Sequence, residues 1–229
     1  MGKNNSSKCV VQPIFKAMLK AGTIDRFLSM VLPQGIETGA IEENDVWFDG
    51  HEREKVIKPV DSFLEWCRKN PDKLVCPEKA VQCLEDNPRY KFEGGTHPDV
   101  YIECDKCIVV IEAKWTEPRI TSKTKWRKEG ERDQLIRHMD ALGDGDKDVY
   151  GLFLIDEYQK ISKPVLEGLF KNDWYWQSSL PHRVDDGTWE KLKHNFCGVW
   201  TWQDVCAELN VELPSCLKEE YLQCRCKRM

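Results

Sequence analysis

The sequence lacks any run of apolar residues that approaches the roughly 20 needed to cross a bilayer. It also lacks internal repeats, low-complexity segments and an excess of positive charge, since its 34 Lys and Arg are outnumbered by 39 Asp and Glu, for a net charge of −5. These absences argue against a membrane-spanning protein, a repeat protein and a protein that coats nucleic acid without specificity. No charged-then-apolar signal sequence opens the chain, so we expect a cytoplasmic protein with no membrane partner.

The chain contains enough apolar residues for one domain of ordinary size. Its 229 residues are 41% hydrophobic and include nine tryptophans, and chains of this length often fold as one domain with additions. We predict a single α/β domain in which residues 1–86 form a helical N-terminal part, residues 87–171 the core, and residues 172–229 a Trp-rich C-terminal extension.

Helix periodicity and breaker residues predict the individual elements. The predicted helices cover residues 11–31, with a break at Gly22, and residues 61–70, 77–85, 131–142 and 161–170. Beside the hairpin described below, strands are predicted over residues 89–92 and 149–155.

Cysteine is the one unusually frequent residue type, with eleven copies. In a chain without a secretory signal, reduced thiols are expected rather than a disulfide framework. Cys104 and Cys107 form a C-x-x-C pair that could donate two zinc ligands, but a structural zinc site needs four, and no second such pair occurs at a standard spacing. We interpret Cys104 and Cys107 as the closing positions of a hairpin and keep a zinc-stabilised interaction protein as an alternative.

The segment from Gly94 to Trp115 predicts a β-hairpin. Two strand-like runs, 100–103 and 107–111, flank a short polar stretch. If Asp105 and Lys106 form a two-residue turn, counting back along both strands brings Asp99 opposite Glu112. Facing residues in such a pair have Cβ atoms roughly 4.5–5.5 Å apart, which lets two carboxylates share one divalent cation.

Lys114 lies two residues beyond Glu112, so the period-2 alternation of a strand puts both side chains on the same face. The simpler interpretation is a hairpin with a solvated ion pair between Glu112 and Lys114. Against it, Glu112 continues an apolar run (108–111) that is typical of a strand covered on both sides. A charge in that setting is costly unless a metal or a partner satisfies it.

The Pro98-Asp99 and Glu112-Ala113-Lys114 motifs, with this gap between them, resemble those of the PD-(D/E)XK nuclease superfamily. The resemblance covers about residues 90–157 and implies a restriction-endonuclease-like fold and a Mg²⁺- or Mn²⁺-dependent nuclease. It implies that Asp99 and Glu112 bind the metal, that the Ala113 carbonyl can add a ligand, and that Lys114 orients the attacking water. Gln134, on the following helix, is the fourth candidate catalytic residue.

A basic loop follows the hairpin and predicts contacts with a nucleic acid backbone, and DNA is the nucleic acid that we expect. Its basic residues surround Trp126, and the candidates for phosphate contact are Lys123, Lys125, Arg127 and Lys128. A merely solvated loop is the alternative. A catalytically inactive nuclease-fold binding module is kept as a rival function, and the homodimer as one candidate oligomeric state.

Overall fold

The structure is a computed structural model that describes residues 7–49, 57–74, 97–115, 121–122, 132–158 and 162–217. Over these residues it is an α/β fold with a five-stranded mixed sheet flanked by helices. The strands are β1 (Val46–Phe48), β2 (Val100–Glu103), β3 (Cys107–Lys114), β4 (Thr121–Ser122), β5 (Arg132–Asp133), β6 (Asp148–Ile155) and β7 (Phe196–Thr201). The helices are α1 (Gln12–Ala21), α2 (Ile24–Val31), α3 (Asp61–Lys69), α4 (Gln134–Leu142), α5 (Lys163–Lys171), α6 (Asp173–Ser179), α7 (Trp189–His194) and α8 (Trp202–Leu209).

The sheet has the strand order β1-β2-β3-β6-β7, and β4 and β5 form a separate two-stranded ribbon. The first three strands are antiparallel neighbours, whereas β3, β6 and β7 run parallel to one another. The central strand β3 pairs on both edges and is buried over most of its length, which explains its Val- and Ile-rich sequence. The sheet thus draws strands from all three predicted parts of the chain, since β1 precedes residue 86 and β7 follows residue 172.

Two apolar cores cover the two faces of the sheet. Alternate residues of β3 such as Val109 and Ile111 pack with α1, α2 and α8. The intervening residue Val110 packs with α4, α5 and α6 on the opposite face. Three of the C-terminal tryptophans (Trp176, Trp189 and Trp202) are buried in these cores, whereas Trp174 is exposed. Among the described helices, none has the length and apolar character that crossing a membrane requires.

Most predicted elements that fall within the described residues are confirmed. The N-terminal helix breaks at Gly22, which adopts a left-handed φ of 65° between α1 and α2. The helix predicted from residue 131 begins later, at Gln134, because Asp133 caps it by accepting a hydrogen bond from the Ile136 N–H at 3.0 Å. The elements predicted over residues 77–85 and 89–92 lie outside the described residues.

The hairpin closes at the two cysteines. The Cys104 N–H donates to the Cys107 carbonyl at 2.9 Å, and Glu103 pairs with Ile108 as the first ladder position. Both cysteines are free thiols. The predicted hairpin role of Cys104 and Cys107 is therefore confirmed.

Helix α4 is also fixed by a buried ion cluster centred on Asp140. One oxygen of Asp140 contacts Arg132 at 2.6 Å, and the other contacts His182 at 3.0 Å and Arg183 at 2.5 Å. Burial alone would raise the pKa of Asp140, but Arg132, His182 and Arg183 lower the pKa well below its ordinary value. The Arg132 guanidinium also lies 4.3 Å from the ring centre of Phe63, which attaches α3 to the same cluster.

We predict that Asp140→Asn destabilises the fold by about 3–5 kcal/mol, because it removes the buried negative charge that Arg132 and Arg183 share. Urea unfolding followed by circular dichroism measures the change. Asp148→Asn is the matched control, since Asp148 forms an exposed pair with Lys191 and should cost less than about 1 kcal/mol. Equal unfolding midpoints for the two variants would contradict the central role of Asp140.

Candidate functional site

The register of the β2–β3 hairpin brings Asp99 and Glu112 together. Val100 pairs with Ile111, so Asp99, which directly precedes β2, lies opposite Glu112. The Ala113 N–H donates to Oδ2 of Asp99 at 2.8 Å, which fixes that carboxyl at the end of β3. The predicted register is thereby confirmed.

The side chains of Asp99, Glu112 and Lys114 share the sheet face that α4 covers. Strand residues alternate between faces, and Tyr101 and Val110, which have the same parity as Asp99 and Glu112, belong to the core beneath α4. All three polar side chains are buried, with exposed fractions of 9% for Asp99, 1% for Glu112 and 7% for Lys114. A solvated surface ion pair does not describe this arrangement.

Both oxygens of Glu112 have partners within the protein. Oε1 lies 2.5 Å from Nζ of Lys114, and Oε2 lies 3.1 Å from Nε2 of His138. Nζ of Lys114 also donates to Oε1 of Gln134 at 3.4 Å. Gln134 and His138 are one helical turn apart and reach the site from α4.

The two carboxyl groups have opposite pKa shifts. Burial, followed by the neighbouring charge of Glu112, raises the pKa of Asp99 well above its ordinary value. Burial would also raise the pKa of Glu112, but Lys114 and His138 outweigh it and lower the pKa to about 2. Of the two carboxyl groups, Glu112 is therefore the one that loses its proton more readily, and Asp99 keeps a proton more readily than an ordinary aspartate.

The backbone of Ala113 adds a further oxygen at this position. In a strand, the N–H and C=O of one residue point to the same edge. Since the Ala113 N–H donates to Asp99, the Ala113 carbonyl faces the same edge of β3 as the Asp99 carboxyl. Lys114 faces the other edge, where its carbonyl accepts from the Asp156 N–H at 3.1 Å.

The position of Gln134 depends on the start of α4. The preceding residue, Asp133, accepts hydrogen bonds from the Ile136 N–H at 3.0 Å and from the hydroxyl of Tyr175 at 2.8 Å. Asp133 is 0% exposed, and this burial raises its pKa to about 7 despite both donors. Tyr175 on α6 thus anchors the first turn of α4 and, through it, Gln134.

The structure brings together the four site residues that were predicted from the sequence, which are Asp99, Glu112, Lys114 and Gln134. No role was predicted for His138, Asp133 or Tyr175. The i, i+4 spacing of Gln134 and His138 was the available signal for His138, whereas the Asp133–Tyr175 contact joins positions 42 residues apart and has no local signature. The four candidate phosphate contacts, Lys123, Lys125, Arg127 and Lys128, lie outside the described residues.

Within the part of the chain that the structure describes, no group of three or more His, Cys, Asp or Glu side chains is arranged to hold a metal ion. Asp99 and Glu112 are the two carboxylates that the hairpin brings together here, and backbone or solvent oxygens could add to them around a cation. Comparisons of the chain with protein-family models, with curated proteins and with solved structures return no match.

We predict that Asp133→Asn flattens the pH dependence of stability between about pH 4 and pH 7. The raised pKa means that the folded protein keeps a proton on Asp133 in this window, whereas the unfolded chain, with an ordinary pKa near 3.9, has lost it. The contribution of this proton to the free energy of unfolding is therefore fully present below about pH 4 and is lost as the pH rises through about 7.

Asparagine caps a helix as well as aspartate does, so Asp133→Asn should fold. The measurement is the free energy of unfolding in urea at pH 4, 5.5, 7 and 8. Asp204→Asn, in the exposed first turn of α8, is the control and should retain the wild-type profile. An unchanged slope in Asp133→Asn would show that Asp133 has an ordinary pKa.

Proposed function

We propose that this protein is a Mg²⁺- or Mn²⁺-dependent nuclease that hydrolyses phosphodiester bonds, with DNA as its substrate. The observation that carries the proposal is the convergence of Asp99, Glu112 and Lys114 on one buried face at the end of β3. Two carboxylates can hold a cation that assists phosphodiester hydrolysis, and a lysine beside them can offset the negative charge that develops on the phosphate.

The topology around these residues supports a restriction-endonuclease-like fold. A hairpin that carries Asp99 and Glu112 is followed by helix α4 with Gln134, and then by β6, which is parallel to β3. This order of hairpin, helix and strand is the one that the resemblance to PD-(D/E)XK nucleases implies.

The donor set fits a hard divalent cation. Carboxylate and carbonyl oxygens are the ligands that Mg²⁺ and Mn²⁺ prefer, and Asp99, Glu112 and the Ala113 carbonyl supply them. The pKa of Asp99 is raised by its burial and by the neighbouring carboxylate of Glu112, and a bound cation would offset both effects. Glu112 would bind through lone pairs that Lys114 and His138 leave open.

Each side chain has a separate role in the proposed reaction. The cation, when bound, supplies Lewis-acid chemistry that polarises the phosphoryl oxygen and lowers the pKa of a bound water. Lys114 positions the attacking water and offsets the negative charge that develops on the phosphate. Gln134 accepts from Nζ of Lys114 at 3.4 Å and restricts where that ammonium group can lie.

A catalytically inactive binding module is the second candidate, and the Lys114–Glu112 contact is the observation that favours it. A buried ion pair that satisfies both partners is stable without any ligand, and it competes with a cation for Oε1 of Glu112. The two candidates differ in one measurable property, because only the nuclease requires a divalent cation to act on DNA.

The basic loop stays a prediction for the DNA contact. Lys123, Lys125, Arg127 and Lys128 follow the proposed catalytic strand directly in sequence, so they would lie near the phosphates that flank the scissile bond. Counterion release would make binding through these residues weaken steeply as salt concentration rises.

We predict that Asp99→Asn abolishes Mn²⁺-dependent cleavage of plasmid DNA, with a loss of at least about 10²-fold, while the fold survives. The neutral amide resembles the neutral carboxyl that the raised pKa favours, and its oxygen can still accept from the Ala113 N–H. Gel assays of supercoiled and linear DNA measure cleavage, and thermal unfolding measures stability.

Glu103→Gln is the matched control, because Glu103 lies on β2 with the same parity as Asp99 but at the turn end, beside Lys147. It should cleave like wild type. Equal cleavage by wild type and Asp99→Asn, in preparations that share one purification, would defeat the proposed nuclease.

We predict that Lys114→Met slows cleavage by about 10²- to 10³-fold without weakening Mn²⁺ binding. Removing the ammonium frees Oε1 of Glu112, so the Mn²⁺ dissociation constant should stay the same or fall. Isothermal titration gives the dissociation constant, and single-turnover cleavage at saturating Mn²⁺ gives the rate of the chemical step. A loss of Mn²⁺ affinity with an unchanged single-turnover rate would be the opposite result and would remove Lys114 from the chemistry.

A further inference from the structure

His138 is the side chain at the site that the proposed function leaves without a role. Its imidazole is 0% exposed, and its Nε2 lies 3.1 Å from Oε2 of Glu112. Lys114 contacts the other oxygen of the same carboxylate. Glu112 is therefore held from two sides, by its own strand and by helix α4.

The direction of the His138 hydrogen bond follows from the chemistry of its partner. An ionised carboxylate can only accept hydrogen bonds, so Nε2 of His138 must carry the proton that joins them. A hydrogen bond to one oxygen restrains rotation of the carboxylate about its terminal bond, which Lys114 alone, on a flexible four-carbon chain, restrains less well. Groups that orient a metal ligand in this way tune its affinity for the metal.

We propose that His138 is a positioning residue that holds the carboxylate of Glu112 in its cation-binding orientation. The proposal rests on the proposed function, because it concerns the same site. The simpler interpretation is a core histidine whose hydrogen bond to Glu112 only satisfies its own ring nitrogen. The two interpretations differ in one respect. A positioning role requires a donor at the location of Nε2, whereas a packing role requires only a side chain of similar size.

Two amide substitutions separate these interpretations. His138→Gln places an amide N–H donor near the location of Nε2, whereas His138→Asn carries the same amide on a side chain one methylene shorter, out of reach of Glu112. We expect His138→Asn to raise the Mn²⁺ dissociation constant by about 10- to 100-fold and His138→Gln to restore most of the wild-type affinity. Isothermal titration with Mn²⁺ alone, on the folded 229-residue chain without DNA, gives these constants. His194→Asn, at the exposed end of α7, controls for the loss of a histidine as such.

Unfolding measurements on the metal-free protein test the contact itself. The effects of His138→Asn and Glu112→Met on the urea midpoint should be non-additive in the double variant, because each change removes the hydrogen bond between the imidazole and the carboxylate. Additive effects would overturn the proposal whatever the Mn²⁺ result.

The remaining outcomes distinguish this proposal from the proposed function. If wild type binds Mn²⁺ and His138→Asn binds it equally tightly, the positioning role is overturned while the nuclease proposal stands. If His138→Asn does not fold, the Mn²⁺ affinity of His138→Gln decides the question. Wild-type affinity in His138→Gln supports the positioning role of His138. A folded His138→Gln variant that binds Mn²⁺ as weakly as Asp99→Asn overturns that role. If wild type binds no Mn²⁺ and does not cleave DNA, the proposed function fails and the positioning role fails with it.

Discussion

The buried charge of Glu112 is the constraint on which the surrounding structure depends. Its carboxylate is 1% exposed, and a charge so far from water destabilises a fold by several kcal/mol unless partners replace its hydration. Lys114 supplies the counter-charge and His138 a hydrogen bond. Lys114 belongs to the same strand as Glu112, whereas His138 belongs to α4. Glu112 therefore has both of its partners only when α4 lies over the end of β3.

Polar contacts fix the position of α4 at three points. Near its start, Asp133 bonds to Tyr175; one turn in, His138 reaches Glu112; and further along, Asp140 pairs with Arg132 and Arg183. Apolar burial is tolerant of small shifts, whereas buried hydrogen bonds lose their value when donor and acceptor separate. A helix restrained in this way presents Gln134 and His138 to the sheet with little freedom, and preorganisation of this kind is what a catalytic site needs. Gly151 on β6 permits the close packing, because a Cβ there would collide with the side chain of Met139 on α4.

The sequence predicted those parts of the fold that local patterns encode. The two-residue turn and the alternation on either side of it determined the β2–β3 register, so the facing of Asp99 and Glu112 could be predicted. Strand β1 was missed because three residues are too few to show a period, and β7 because Gly198, with a φ of 90°, interrupts its apolar pattern. The partner of Glu112 on α4 and the anchor of Asp133 on α6 depend on packing between distant segments, which spacing along the chain does not show.

The two carboxyl groups at the end of the hairpin are prepared for different tasks. Glu112 is kept ionised by Lys114 and His138, whereas Asp99 is held by the Ala113 N–H in surroundings that favour its neutral form. In the proposed nuclease, this asymmetry would make Glu112 the more strongly anionic ligand and would couple cation binding through Asp99 to the pH more than binding through Glu112. In that nuclease Lys114 would have two alternative partners, Glu112 and the reacting phosphate. The contact that stabilises the metal-free site would therefore weaken when a cation and a phosphate arrive, and Lys114 would become available for the reaction at the point where the substrate is bound.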